Sequence, residues 1–212
     1  MTPSSEGWTL IARFSNRDNR HWMNDTGYWW YDRIEAAGKT IDPKKNTDMI
    51  SPAFWLVSGN EFKITRSDDS QHNPLLQTTG DCLGGQTFRS KVTSYGNFRN
   101  GTVWPSPGCL GNCTVQYGGQ YRTTQGFEQA KCNGSLQSGD RIAFWCTMGW
   151  SSSVMMIGGG GIECSGAGHG IGVTSAKLPS FKVRNPSRPE YDFSNSHWGM
   201  STTKYALNVW MR

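Results

Sequence analysis

At 212 residues the chain is long enough for one large domain, or two small ones, with a sizeable buried core. Its 26 glycines and 17% charged residues exclude a mostly helical protein, since glycine is costly inside helices, and its 10 Trp, 9 Phe and 7 Tyr exclude a disordered one. The net charge of +5 is spread along the chain rather than clustered, which argues against a nucleic-acid partner, and no apolar run approaches the roughly 18 residues of a membrane span.

In chain order, Met1 to Ser5 shows no basic segment followed by an apolar one. That start fits a cytosolic chain, or a mature form behind an added methionine. Trp8 to Phe14 alternates, and Trp8, Leu10, Ala12 and Phe14 are expected on one face of a strand. Tyr28 to Ala37 reads as a short helix stopped by Gly38. Asp42 to Asp48 reads as a polar loop. Ala53 to Val57 and Glu61 to Thr65 read as a hairpin turning at Ser58-Gly59-Asn60. Arg66 to Pro74 is polar and reads as a loop. Short strands are expected at Gln86–Val92, Thr114–Tyr117, Arg141–Cys146 and Val154–Ile157, with a last strand over Lys204–Arg212. No repeat or linker interrupts the chain, so residues 1–212 are read as a single domain.

Six cysteines stand at 82, 109, 113, 132, 146 and 164, and the first 81 residues have none. An even number at wide spacing points to disulfides in a secreted protein rather than to a zinc site, with the pairing left open. Three bridges would staple the middle and late chain. Four acceptor sequons, at Asn24, Asn100, Asn112 and Asn133, agree with secretion.

Chemistry-bearing motifs are few. No Gly-x-Ser-x-Gly elbow occurs, no motif joins the four histidines, and the adjacent Asp68 and Asp69 would point to opposite faces of a strand. An enzyme is therefore not expected. The run Gly158 to Gly161 lacks a nearby basic residue, so it reads as close backbone packing rather than a phosphate cradle. The loop Asn195 to Gly199 is different: it joins His197 and Trp198 to polar neighbours. Sugars offer C–H faces that stack on indoles and hydroxyls that need His, Asp, Glu or Asn. Glu163, His169, His197 and Trp198 are the candidate ligand contacts.

Two stretches bear a family resemblance. Glu6-Gly7-Trp8-Thr9-Leu10-Ile11-Ala12-Arg13 resembles the opening strand of fibrinogen-like domains. Ile157 to Gly161, then Asp192-Phe193, Trp198 and the final Trp210-Met211-Arg212, resemble the intelectins, the sugar-binding branch of that superfamily. The resemblance implies an α+β, fibrinogen-like or intelectin-like domain: mostly short strands with long glycine-rich loops, few short helices, disulfide-bonded. It also implies a calcium ion that takes two vicinal sugar hydroxyls, with Trp198 as a framing aromatic and Asp192 as a calcium ligand. The chain departs from the family at Met155 and Met156, which stand where intelectins have Glu-His, and a thioether does not suit a hard cation. The resulting expectation is a secreted lectin of innate-recognition type that binds glycans without membrane insertion. It would gain avidity as a homo-oligomer assembled through the domain itself, since the chain has no heptads. The rival readings are a fibrinogen-like protein-binding or adhesive module, and a hydrolase using His169 with a nearby carboxylate.

Overall fold

The computed structural model describes residues 7–15, 42–94, 110–119, 141–148, 153–159, 169–175 and 205–212. The expected helix at Tyr28–Ala37 lies outside them.

The described residues form eleven strands and two short helices. The strands are β1 (Thr9–Ser15), β2 (Met49–Ile50), β3 (Ser58–Gly59), β4 (Phe62–Arg66), β5 (Leu76–Thr78), β6 (Gln86–Thr87), β7 (Leu110–Tyr117), β8 (Arg141–Met148), β9 (Ser153–Gly159), β10 (His169–Ser175) and β11 (Ala206–Met211). The helices are α1 (Ala53–Leu56) and α2 (Phe88–Thr93). Nine strands make one sheet in the order β10-β9-β8-β7-β5-β4-β11-β1-β2, and β3 pairs with β6 in a small second sheet. Every pairing is antiparallel. Mostly antiparallel sheet with few short helices is the architecture expected of an α+β chain rich in glycine and aromatics.

The last strand lies between the first and the fourth. Leu10 stands opposite Trp210 and Phe14 opposite Leu207, while Val209 faces Ile64 on the other side. All six residues of β11 are buried, which confirms the expected final strand. The expected strands at Thr114–Tyr117, Arg141–Cys146 and Val154–Ile157 also fall within β7, β8 and β9. The polar loop at 42–48 is present as expected, and of the loop expected at Arg66–Pro74 residues 67–74 are loop while Arg66 ends β4.

Three local expectations are corrected. The register of β1 against β11 shifts between Leu10 and Ala12, as in a β-bulge. One extra residue inverts the alternation beyond it. Trp8 and Leu10 join Met49 and Trp210 in a small cluster, whereas Ile11, Ala12 and Phe14 enter the main core. Trp8 and Phe14 therefore belong to different packing clusters. Ala53 to Leu56 is helix rather than the first arm of a hairpin, and β3 pairs with β6 instead of β4. A short apolar run is ambiguous between helix and strand. Pro52, held at φ −55°, pre-sets the first helical turn, and the Phe54 amide donates to the Ser51 carbonyl at 3.0 Å. Gln86–Val92 is strand for only two residues. Thr87 then caps α2 by accepting a hydrogen bond from the Ser90 amide at 3.0 Å.

The main core is an aromatic chain across four elements. Phe54 of α1 meets Phe88 of α2 at 5.6 Å between ring centroids, Phe88 meets Phe62 of β4 edge-on at 5.3 Å, and Phe62 reaches Phe144 of β8 at 6.1 Å. The Cys82–Cys113 disulfide, with Cα atoms 5.2 Å apart, ties the 79–85 turn to β7 beside this chain. It is the bridge present among the described residues. Closing a loop of 31 residues restricts the unfolded chain and stabilises the fold by about 2–4 kcal/mol. Close packing also explains Gly59, where a Cβ would sit 2.5 Å from the Arg212 carbonyl oxygen.

Phe62 is fully buried between two other rings, so Phe62→Ala is expected to cost about 3–5 kcal/mol in urea unfolding. Leu56→Ala, at a side chain 67% exposed, is expected to change the midpoint little. Similar losses from the two variants would contradict this core.

Candidate functional site

Of the sequence-derived site residues, His169 is placed: it opens β10, opposite Gly159 of β9. Gly158 and Gly159 are therefore strand residues paired to Gly170 and His169. Met155 also lies in β9, opposite Val173 on one side and Cys146 on the other. Glu163, Asp192, His197 and Trp198 lie outside the described residues. The described structure thus fixes one corner of the candidate site, at the start of an outer strand of the nine-stranded order.

The opposite end of the sheet carries a concentration of polar and aromatic side chains. Lys63 of β4 holds its ammonium 4.8 Å from the Trp8 ring centroid and 5.8 Å from that of Trp210. The Arg212 guanidinium lies 4.6 Å from the Trp8 ring and pairs with Glu61, Nη2 to Oε2, at 2.7 Å. The Trp210 indole N–H donates to Thr65 Oγ1 at 2.9 Å, and the His72 ring stands 5.9 Å from Trp210. His72 adopts φ +51°, an uncommon conformation outside glycine, and its Nδ1 is buried without a hydrogen-bonding partner. Cation–π contacts of this kind contribute about 0.5–2 kcal/mol each, rising as the cation loses water.

These aromatics are poor sugar platforms. Trp8 and Trp210 are 7% and 5% exposed, and cations or a neighbouring ring already lie against them. A sugar stacking here would have to displace charged groups from rings that are nearly closed to solvent. The cluster is built to hold the first and last strands to β4.

Beside it, Arg13 of β1 is fully buried under the 42–48 loop. Its Nε donates to the Thr47 carbonyl, Nη1 to the Asp42 carbonyl at 2.6 Å and Nη2 to Thr47 Oγ1 at 2.9 Å. Burial lowers the Arg13 pKa, and Asp42 and Asp48 oppose that by favouring the charged form. Asn208, the cross-strand partner of Arg13, donates to the Pro43 carbonyl at 2.8 Å. The Ser15 amide donates to Asp48 Oδ1 at 2.7 Å. With its amide oriented to satisfy both neighbours, Asn46 donates to Ser15 Oγ and the Tyr205 carbonyl and accepts from the Tyr205 amide. The loop is therefore fastened to both terminal strands by buried polar contacts. Sequence reasoning passed over Arg13, Lys63 and Asn208. The available signal was an arginine, a lysine and an asparagine inside strands otherwise rich in apolar residues.

Near Tyr205, Arg66 lies 3.9 Å from the phenol ring centroid and pairs with Asp68 at 2.5 and 2.8 Å. That hydrogen-bonded pairing, the largest influence, holds the Asp68 carboxyl below its ordinary range.

Among the described residues no three His, Cys, Asp or Glu side chains lie close enough together to hold a metal ion. No described helix is long and apolar enough to cross a membrane. No family model matches the chain, and no curated protein matches it either.

Because the folded-state pKa of Asp68 is depressed, its stabilisation is complete above the unfolded value near 3.9 and is lost as pH falls through the folded value. The Asp68 side chain is 41% exposed, so solvent screening keeps the effect small, on the order of 0–1 kcal/mol. Asp68→Asn should lower the urea midpoint slightly at pH 7, with wild type and variant converging as pH falls through the depressed folded-state value. A gap that widens on acidification would contradict this.

Proposed function

We propose that the chain is a secreted, disulfide-bonded lectin domain of fibrinogen-like, intelectin-like type, recognising glycans through the region around His169 and the sequence from Asp192 to Trp198. The observation that carries the reading is the adjacency of β1 and β11. The opening Gly7-Trp8-Thr9 segment and the closing Trp210-Met211-Arg212 segment bear the family resemblance, and they meet side by side in one sheet. Two resemblances far apart in sequence thus belong to one structural unit.

The Cys82–Cys113 disulfide supports an oxidising, extracellular setting. The rings near the chain ends support assigning recognition elsewhere, since Trp8 and Trp210 are closed off by their own neighbours. The family resemblance and its polar loop favour Trp198 as the stacking aromatic, with Glu163, His169 and His197 as hydroxyl partners. Asp192 is the calcium ligand that the resemblance implies. Met155 and Met156 stand where the family has oxygen and nitrogen donors, and thioethers do not suit a hard cation, so no step of recognition is routed through calcium here.

The test is glycan-array binding by wild type and Trp198→Ala, each with and without EDTA. Wild type is expected to bind a restricted glycan set, and Trp198→Ala to lose at least about tenfold in affinity, roughly 1.4 kcal/mol. Binding abolished by EDTA would bring calcium and Asp192 into the site; binding that persists would mean a metal-free one. Correctly folded wild type that binds nothing would overturn the lectin reading in favour of a protein-binding or adhesive module.

A further inference from the structure

One acceptor sequon, Asn112-Cys113-Thr114, falls among the described residues, and its middle residue is half of a disulfide. The two chemistries compete for the same three residues. We propose that Asn112 is a conditional glycosylation site, closed to oligosaccharide transfer by the Cys82–Cys113 disulfide and opened when that bond fails to form. This rests on passage through the secretory pathway, as in the reading above.

The placement of the sequon carries the argument. It lies within β7, which pairs with β5 through Val115–Tyr117 and with β8 through Leu110, Cys113 and Thr114. Cys113 is 5% exposed and bonded to Cys82 in the turn before β6. The Thr114 carbonyl accepts the Thr79 amide at 2.9 Å, so the same turn grips the sequon at a second point. Transfer requires a pliable acceptor in which the hydroxyl two residues on can approach the asparagine amide. With Cys113 and Thr114 paired to Ile142 and Arg141, and Cys113 bonded to Cys82, the Thr114 end of the sequon is held away from that approach.

The β7–β8 register shifts between Leu110 and Cys113, where Gly111 takes φ +64°. Order of synthesis adds to the effect. Cys82 precedes Cys113 by 31 residues, so the disulfide partner already exists when the sequon emerges.

The competing reactions are balanced as follows. In transfer, the Asn112 side-chain nitrogen forms a bond to the anomeric carbon of a lipid-diphosphate oligosaccharide. The bond from that carbon to the diphosphate oxygen breaks, the lipid diphosphate leaves, and one amide proton is released. In closure, the Cys82 and Cys113 thiols lose two protons and two electrons to a disulfide oxidant by thiol–disulfide exchange.

The experiment expresses the full chain behind a secretory leader, with a reporter sequon appended, in eukaryotic cells. Total cellular and secreted protein are digested with an amidase that converts glycosylated Asn to Asp, and peptides are mapped by mass. Occupied reporter sequon shows that each chain met the transferase. Asn112 is expected to be essentially bare in wild type and several-fold more occupied in both Cys82→Ser and Cys113→Ser. The second variant keeps the sequon as Asn-Ser-Thr, and neither needs to fold fully for the readout. A wild-type peptide carrying both the disulfide and an Asn112 glycan would overturn the proposal, as would bare Asn112 in both variants beside an occupied reporter. Reduced Cys82 and Cys113 in the chain from its own cells would instead sink the secretory reading, whatever the expression cells show.

Discussion

The antiparallel seam between β1 and β11 is the contact on which the described structure depends. It places the final strand between the first strand and β4, so sequence-distant segments share one hydrogen-bonded ladder. The bulge between Leu10 and Ala12 directs Trp8 and Leu10 to the small Trp210 cluster and sends Ile11, Ala12 and Phe14 into the main core. Without that extra residue, one face would be overfilled and the other left short of apolar side chains. The buried Arg13 cradle also needs the seam, because its cover is fastened to Ser15 and Asn208 as well as to Arg13 itself.

Burying Arg13 removes a guanidinium from water, which is tolerated only when its donors are taken up in good geometry. The 42–48 loop meets that need with two backbone carbonyls and a threonine hydroxyl. The charge thereby acts as an organiser of the loop, holding Asp42, Pro43 and Thr47 against the sheet. Lys63 and Arg212 do related work nearby, covering indole rings with alkyl stems and cationic heads. This end of the sheet is stabilised by its own aromatics and cations.

Much of the strand content was legible because buried strands carry a strong apolar signature. The alternating Tyr205 to Met211 and the run at Arg141–Cys146 could hardly be anything else. Errors arose where local pattern was ambiguous. Ala53 to Leu56 is apolar at every position, so only Pro52 and the packing of Phe54 decide for helix. At Gln86–Val92 the missed signal was Thr87, a capping residue in front of Phe88 and Val92, which share the inward side of α2. The bulge in β1 left no mark in composition, since the residues on both sides of it are apolar. The candidate site was least legible: no motif joins its proposed contacts, and of these His169 is the one that falls among the described residues. Disulfide pairing was equally beyond reach, as spacing alone does not tell Cys82 which partner the turn will bring near.

The proposed sugar contacts lie around β10 and in residues 192–198, whereas the Trp8–Lys63–Trp210 face is packed by its own side chains. Hydrogen–deuterium exchange on the full chain, with and without a saturating glycan selected by array binding, tests that division most directly. The account predicts slowed exchange in peptides covering 160–175 and 190–200, with β1, β4 and β11 unchanged. Protection confined to peptides covering 61–73 and 205–212 would contradict it and move the site to the opposite end of the sheet.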